Sequence, residues 1–391
     1  MTPIGRLKER LKALPEEKVS VVIFEGGAAR TPVEEDINAV RQAVVLDNVE
    51  KLHGAPGVDE IILCTNYRDL AGEAERLGAT VDFSDGPFHF GRRLLQTVKA
   101  HGLTNVFYMG GPAAPLIRRK EVTWVADRLR EEKNIVVLNN VQSPDMVGFT
   151  PASALSEVPP PANDNELGYI LRENAGLRRV LMPNSAWINF DLDTPTDLAI
   201  LSMQETAGAR TKEALKRFDF DLDKLVKLRG LFGVIGAEVA LIGRVGPPVW
   251  AFLNMNFMCR FRVFSEERGM KALGRQERGE VISLVGHLID QEGPEAFFRY
   301  LSTFCQAVVF DSRVLFAHWK LEVSDWDRFQ SDLGRYDLVK NPKVREFTRA
   351  AVEAPMPVIL GGHALVSGGL WILAENVLAA EAREARRIMR F

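Results

Sequence analysis

The sequence predicts an α/β protein: a mostly parallel sheet flanked by helices, followed by a separate all-helical domain. Three observations predict it. Between residues 19 and 205 short apolar runs alternate with helical patterns, the order that strands joined by crossover helices leave in a chain. Beyond that stretch, helical periodicity punctuated by Gly and Pro takes over. The 391 residues also exceed one ordinary core, at roughly 100 to 200 residues per domain. The expected division is therefore 1–205 and 206–391.

The elements follow in order. "SVVIFEGG" reads as a first strand meeting a glycine turn. "INAVRQAVVLDNVEKLHG" is a helix, with Ile37, Val40, Val44, Val45, Val49 and Leu52 at spacings of three and four and a His53-Gly54 end. "DEIILCTN" (strand), "LAGEAERLG" (helix), "TVDFSD" (strand) and "FGRRLLQTVKAHG" (helix) lead to "NVFYMGG", a central strand with no polar alternation. "TWVADRLREEK" and "NIVVLNN" add a helix and a strand. The three prolines of "SEVPPPANDNE" require a loop or lid. In the second half, "GEVISLVGHLIDQEG", "PEAFFRYLSTFCQAVVF" and "WILAENVLAAEAREARRIMRF" all read as helices.

Composition narrows the function classes. A hydrophobic share of 46% with 26% charged residues suits a soluble globular chain, and a formal charge of -3 provides no field for nucleic acid or anionic lipid. Cys64, Cys259 and Cys305 stand far apart in apolar settings, which suits buried thiols in a reducing compartment, so a cytoplasmic protein is expected. The start, "MTPIGRLKERLKALPEEK", reads as a charged amphipathic helix without the apolar core of a secretory signal. No stretch reaches the roughly 18 uncharged apolar residues of a membrane span. "LFGVIGAEVALIG" comes nearest and is broken by Glu238.

In an open parallel sheet the ligand crevice lies beyond the carboxyl ends of the strands, which directs attention to the residues there. After the first strand, Gly26 and Gly27 let backbone approach a phosphate and Arg30 can neutralise it. Asp85-Gly86-Pro87 forms a turn that displays Phe88, His89 and Phe90, rings able to stack on a base; the alternative is that Phe88 and Phe90 pack under the sheet and His89 is simply exposed. Gly110 and Gly111 enforce a tight turn after the central strand. In "WINFDLDTPTDLAIL", Thr194, Pro195 and Asp197 start a helix, whereas Asp191 and Asp193 are not needed for capping.

In order along residues 19–203, these segments resemble the nucleotidyltransferases of the glycosyltransferase-A type fold, chiefly the molybdopterin guanylyltransferase-like and 2-phospholactate guanylyltransferase groups. "FEGGAAR" approximates that family's glycine-rich loop, and "DLDTPTDL" matches its closing motif closely. The resemblance implies a nucleotide-diphospho-sugar transferase-like fold, with nucleotide held by Gly26, Gly27, Arg30, Asp85, Phe88, His89, Gly110 and Gly111. It implies Arg30 and Asp191 as catalytic residues, Asp191 and Asp193 as Mg2+ ligands, and Asp145, Thr150 and Asn165 on the acceptor side. The implied partners are a nucleoside triphosphate and a small anionic acceptor.

Two positions depart from the family pattern: its metal-binding Asp falls on Ala113, and the lysine after the glycine loop is missing. A catalytically degenerate nucleotide-binding or assembly protein is therefore the alternative, dimerising through the second domain. A sugar-nucleotide-dependent glycosyltransferase is the third reading. In the second half, His318, His363, Asp311, Arg313 and Ser367 form a candidate second site without metal-ligand spacing, the bland reading being satisfied packing residues.

Overall fold

The computed structural model describes residues 18–388, so the expected amphipathic helix at residues 1–17 lies outside the described residues. The chain forms two compact units: Met1–Gly27, Asn48–Gly111 and Ile117–Pro183 make the first, and Ala28–Asp47, Pro112–Leu116 and Asn184–Phe391 the second.

The first unit is a seven-stranded sheet. Its strands are β1 (Val19–Glu25), β2 (Glu60–Thr65), β3 (Thr80–Phe83), β4 (Asn105–Gly110), β5 (Ile135–Leu138), β6 (Met146–Thr150) and β7 (Arg178–Leu181), in the order β3-β2-β1-β4-β6-β5-β7. All neighbours run parallel except at β6, which is antiparallel to both β4 and β5. One face carries the core of Val22, Ile62, Leu94, Val106, Tyr108, Val136, Val147 and Leu167. The helices Arg68–Arg76, Phe90–Ala100 and Arg119–Glu131 have clear apolar faces and fall where the spacing predicted them.

The second unit corrects the all-helical expectation. It is rich in helix, but around four parallel strands: β8 (Glu238–Gly243), β9 (Arg260–Ser265), β10 (Ala307–Asp311) and β11 (Val358–Gly361), in the order β11-β10-β8-β9. Alternate residues serve two cores. Val239, Leu241, Val309 and Ile359 join one, while Ala240, Ile242, Val308, Phe310, Val358 and Leu360 join the other. A strand buried on both faces is a continuous apolar run, and periodicity alone cannot separate such a run from a buried helical segment. "PEAFFRYLSTFCQAVVF" accordingly holds a helix, Pro294–Leu301, and then β10.

The boundary also differs from 1–205. The helix Pro32–Leu52 contributes Ile37, Val40 and Val44 to the core that contains Leu198 and Leu241. Asp47, on the same helix, accepts the Thr211 main-chain N–H at 2.9 Å and the Thr211 hydroxyl at 2.7 Å. Gly208 allows this approach, since a Cβ there would stand 2.0 Å from Asp47 Oδ2. Among the described residues one helical stretch, Leu365–Ala385, is long and apolar enough to cross a membrane, which corrects the choice of "LFGVIGAEVALIG" as the nearest candidate. Half of its apolar window is buried, and Leu370, Ile372 and Leu373 belong to the second unit's core.

Candidate functional site

Within the first unit, the carboxyl ends of β1, β2, β3 and β4 form one row. Gly26 and Gly27 follow β1, and Asn66 at the end of β2 grips them: the Gly27 N–H donates to Asn66 Oδ1 at 3.1 Å, and Asn66 Nδ2 donates to the Gly27 carbonyl at 3.0 Å. A Cβ on Gly26 would come within 2.7 Å of Asn66 Oδ1, and Gly27 has φ +147. The pair therefore has a structural need for glycine that exists without any ligand. Beside it, the Gly111 N–H donates to the Phe24 carbonyl at 2.8 Å, and the Gly110 N–H to the Asp145 carbonyl at 3.0 Å. Gly111 also leaves room for the buried carboxylate of Glu25, whose Oε2 would lie 2.1 Å from a Cβ at that position.

The segment after β3 splits the two aromatic readings. Phe90 is buried against Tyr108, their centroids 5.1 Å apart, whereas Phe88 is 70% exposed and meets Phe24 only edge-on at 6.2 Å. His89 precedes the helix Phe90–Ala100 without capping it, and its Nδ1 is buried without a hydrogen-bond partner. Asn163 Oδ1 is likewise buried and unpartnered, beside the proline loop whose Pro161 carbonyl accepts the Gly91 N–H at 3.0 Å. Asp85 lies in the open, 4.0 Å from the equally exposed Arg68, so that pair contributes little.

The predicted acceptor residues divide. Asp145 adjoins Gly110, and Asn165 accepts from Ser143 Oγ two residues before Asp145, so both stand at the ligand edge. Thr150 does not. It is buried at the far end of β6, where Ile135 and Asn105 begin their strands, roughly 16 Å from Gly110 at about 3.3 Å per residue. The reason is the reversal of β6: its carboxyl end falls where its neighbours start. Nor does Thr150 cap a helix, since a short 3-10 turn, Ala152–Ser156, follows with Pro151 at the cap position.

Arg30, Asp191 and Asp193 belong to the second unit. The closing motif builds the helix start foreseen for it: Asp197 accepts from the Thr194 N–H at 2.8 Å, and Thr194 Oγ1 accepts from the Asp197 N–H at 3.4 Å. Thr196 then ties this helix to β11 through a 2.7 Å hydrogen bond to the Leu360 carbonyl. Asp197 is fully buried, and lost hydration, followed by the charge of Asp193, pushes its carboxyl well above the usual range. Asp191 turns one oxygen to its own neighbour, accepting the Leu192 N–H at 2.8 Å. Asp193 is exposed. Ala113 is buried in the adjoining segment, whose Ala114 N–H donates to the Phe190 carbonyl at 3.1 Å.

A second set of charged side chains was only partly foreseen. Asp311, Arg313 and His363 do gather at the ends of β10 and β11, joined by Arg244, Arg268, Lys271, Arg328 and Asp332. Burial and then Arg244 hold His363 down at about 4, so its imidazole is neutral near pH 7. Ser367 bonds back to the His363 carbonyl at 2.7 Å. His318 is elsewhere, accepting the Ser283 N–H and facing Asp290 at 3.3 Å. The signal available in sequence was a polar residue closing each apolar run, as in "VVFDSR" and "VILGGH".

No family model matches this sequence, and no curated protein does. Solved structures do resemble part of it. A cytidylyltransferase from Leptospira borgpetersenii is 17% identical over 51% of this chain and 94% of its own, with a TM-score of 0.38. A CMP:2-keto-3-deoxy-manno-octonic acid synthetase complexed with CTP is 15% identical over 51% and 99%, with a TM-score of 0.36. Glucosyl-3-phosphoglycerate synthase from Mycobacterium tuberculosis, in complex with Mg2+ and uridine diphosphate, is 15% identical over 56% and 85%, also at 0.36. These are likenesses of fold.

Proposed function

We propose that the chain is a nucleotidyltransferase-like protein, which moves a nucleoside monophosphate from a nucleoside triphosphate to a small anionic acceptor. The observation that carries this reading is the edge of the first sheet. There two glycine turns, the displayed ring of Phe88 and the unpartnered His89 Nδ1 and Asn163 Oδ1 lie at the carboxyl ends of parallel strands. Phe88 offers a face for a base, and His89 and Asn163 offer buried polar atoms that no protein group takes up. The turns at Gly26–Gly27 and Gly110–Gly111 keep side chains away from the phosphates.

In the transfer an acceptor oxygen forms a bond to the α-phosphorus as the bond to the departing pyrophosphate breaks. Asp145 and Asn165, beside Gly110, orient the acceptor. Arg30 and the closing-motif acids belong to the second unit, and this reading of the first sheet's edge does not draw on them. The residues present do not build a magnesium site. Ala113 offers a methyl group, one Asp191 oxygen is taken up by Leu192, and Asp193 lies in the field of Lys271, Arg328 and His363. Among the described residues no three His, Cys, Asp or Glu side chains are gathered to hold a metal.

Ala113 specifically favours a second reading, a nucleotide-binding protein that has lost transfer. The glycosyltransferase reading has less support, because "GGPAA" after β4 carries no acid. The three free, buried cysteines suit a cytoplasmic setting. Thermal shift with GTP, CTP, ATP and UTP, each with magnesium or with EDTA, tests binding. The proposal expects one base to stabilise the protein in both conditions. Pyrophosphate release on adding anionic acceptors then separates transfer from binding alone.

A further inference from the structure

The carboxyl ends of the second sheet gather a second set of charged side chains. The registers Gly243 with Ser265 and Asp311 with Gly361 place all four strand ends in one row; β8, β9 and β11 leave through loops on that side, and β10 runs straight into the helix Ser312–His318. Parallel sheets place ligands at this edge. In the middle stand two buried ion pairs. Arg244 donates to Asp311 through Nε at 2.6 Å and a terminal nitrogen at 3.1 Å, and Arg313 donates to both oxygens of Asp332 at 2.8 and 2.6 Å. A third arginine, Arg328, pairs with Asp325. Each of these cations is matched by one carboxylate, so they form the frame of this edge.

Arg268 and Lys271 differ. Both come from the loop 266–283, whose nearby acids are taken up inside the loop: Glu266 accepts the Leu284 N–H at 2.9 Å, and Glu267 pairs with Arg275 at 2.9 Å. Among the described residues neither the Arg268 nor the Lys271 side chain has an ion-pair or hydrogen-bond partner, and Arg268 Nε is buried without one. Both lie in the electrostatic field of this cluster, Arg268 acting on His363, and Lys271 on Asp193 and the framing arginines. The exposed carboxylate of Asp193 acts on Lys271.

We propose that this edge of the second sheet binds the phosphate group of a small phosphomonoester, with Arg268 and Lys271 as its charged hands and the paired arginines as a rigid frame. A buried guanidinium nitrogen without a partner is costly, and a phosphate oxygen supplies the missing acceptor. A cation-rich edge whose own acids are already paired selects an anion over a divalent metal. The proposal does not rest on nucleotide binding by the first unit.

The test titrates the full chain with inorganic phosphate and with glycerol 3-phosphate at constant ionic strength, following binding by calorimetry, with chloride as the reference. Both ligands are expected to bind saturably and to compete. Arg268→Gln and Lys271→Gln should each weaken both by about tenfold or more, the scale of a charge-assisted hydrogen bond. Arg299→Gln, an exposed arginine 3.5 Å from Glu295, serves as a control and should change nothing. Lys271 is exposed, so its variant is expected to fold even if Arg268→Gln does not. A phosphate effect no larger than that of chloride, or one that persists in Lys271→Gln, overturns the proposal. Phosphate binding without glycerol 3-phosphate binding overturns its monoester form. Loss of nucleotide binding in Phe88→Ala with phosphate binding intact would show that the two sites fail separately.

Discussion

The Arg244 guanidinium lies against the Asp311 carboxylate through two hydrogen bonds, 2.6 and 3.1 Å long, with Asp311 wholly buried. Burial works against the charge on Asp311, but Arg244 beside it prevails and holds the carboxyl below its usual range. Asp311→Ala leaves Arg244 buried and uncompensated. Loss of one partner from such a pair costs about 3 to 5 kcal/mol, so urea unfolding should show the second unit weakened by that amount. A change below about 1 kcal/mol would mean that the pair is solvated in solution.

His363 gives a pH dependence of opposite origin to that of a paired acid. Its folded pKa, about 4, lies below the ordinary 6.5, so folding favours the neutral ring. The contribution is full above about pH 6.5 and is lost as pH falls toward 4, by up to about 3 kcal/mol at 1.4 kcal/mol per tenfold in acidity. Melting temperatures of the wild type and His363→Gln, compared from pH 7.5 to 4.5, should converge as the pH falls. Parallel curves would contradict the assignment.

The thiols should be inert in the native protein. Burial pushes Cys64 up to about 12 and Cys259 and Cys305 to about 11, all above the ordinary value for a thiol. Since the raised values disfavour the thiolate, labelling by iodoacetamide at pH 8 should be slow when folded and complete in denaturant. Stability from this source is intact below about pH 9 and falls as pH rises further. Rapid native labelling of Cys64 would refute its burial.

Phe88→Ala should reduce affinity for the preferred nucleotide about tenfold or more, since alanine substitution of a base-stacking ring costs about 1 to 3 kcal/mol. Stability should hardly change, because the ring is 70% exposed. Equal affinity in calorimetry would remove Phe88 from the site.

The first sheet was legible because its strands and helices alternate with a change of period at each junction, and because turn residues mark every strand end from "EGG" to "MGG". The second was hidden because β8 and β10 follow helices without a change in apolar content, so buried strands read as helix. Asp311, Arg313 and His363 drew notice by type alone. Arg268 and Lys271 did not, sitting in a charged loop like any solvated one. Thr150 was misplaced because the direction of β6 is a tertiary fact with no local mark.

Amide hydrogen exchange on the full chain, with and without the nucleoside triphosphate that stabilises it most, tests the central claim most directly. The account predicts new protection at Gly26–Gly27, at Asn66–Tyr67, across residues 85–91 and at Gly110–Gly111. Protection confined to other segments, or none at saturating nucleotide, would contradict a nucleotide site at the edge of the first sheet.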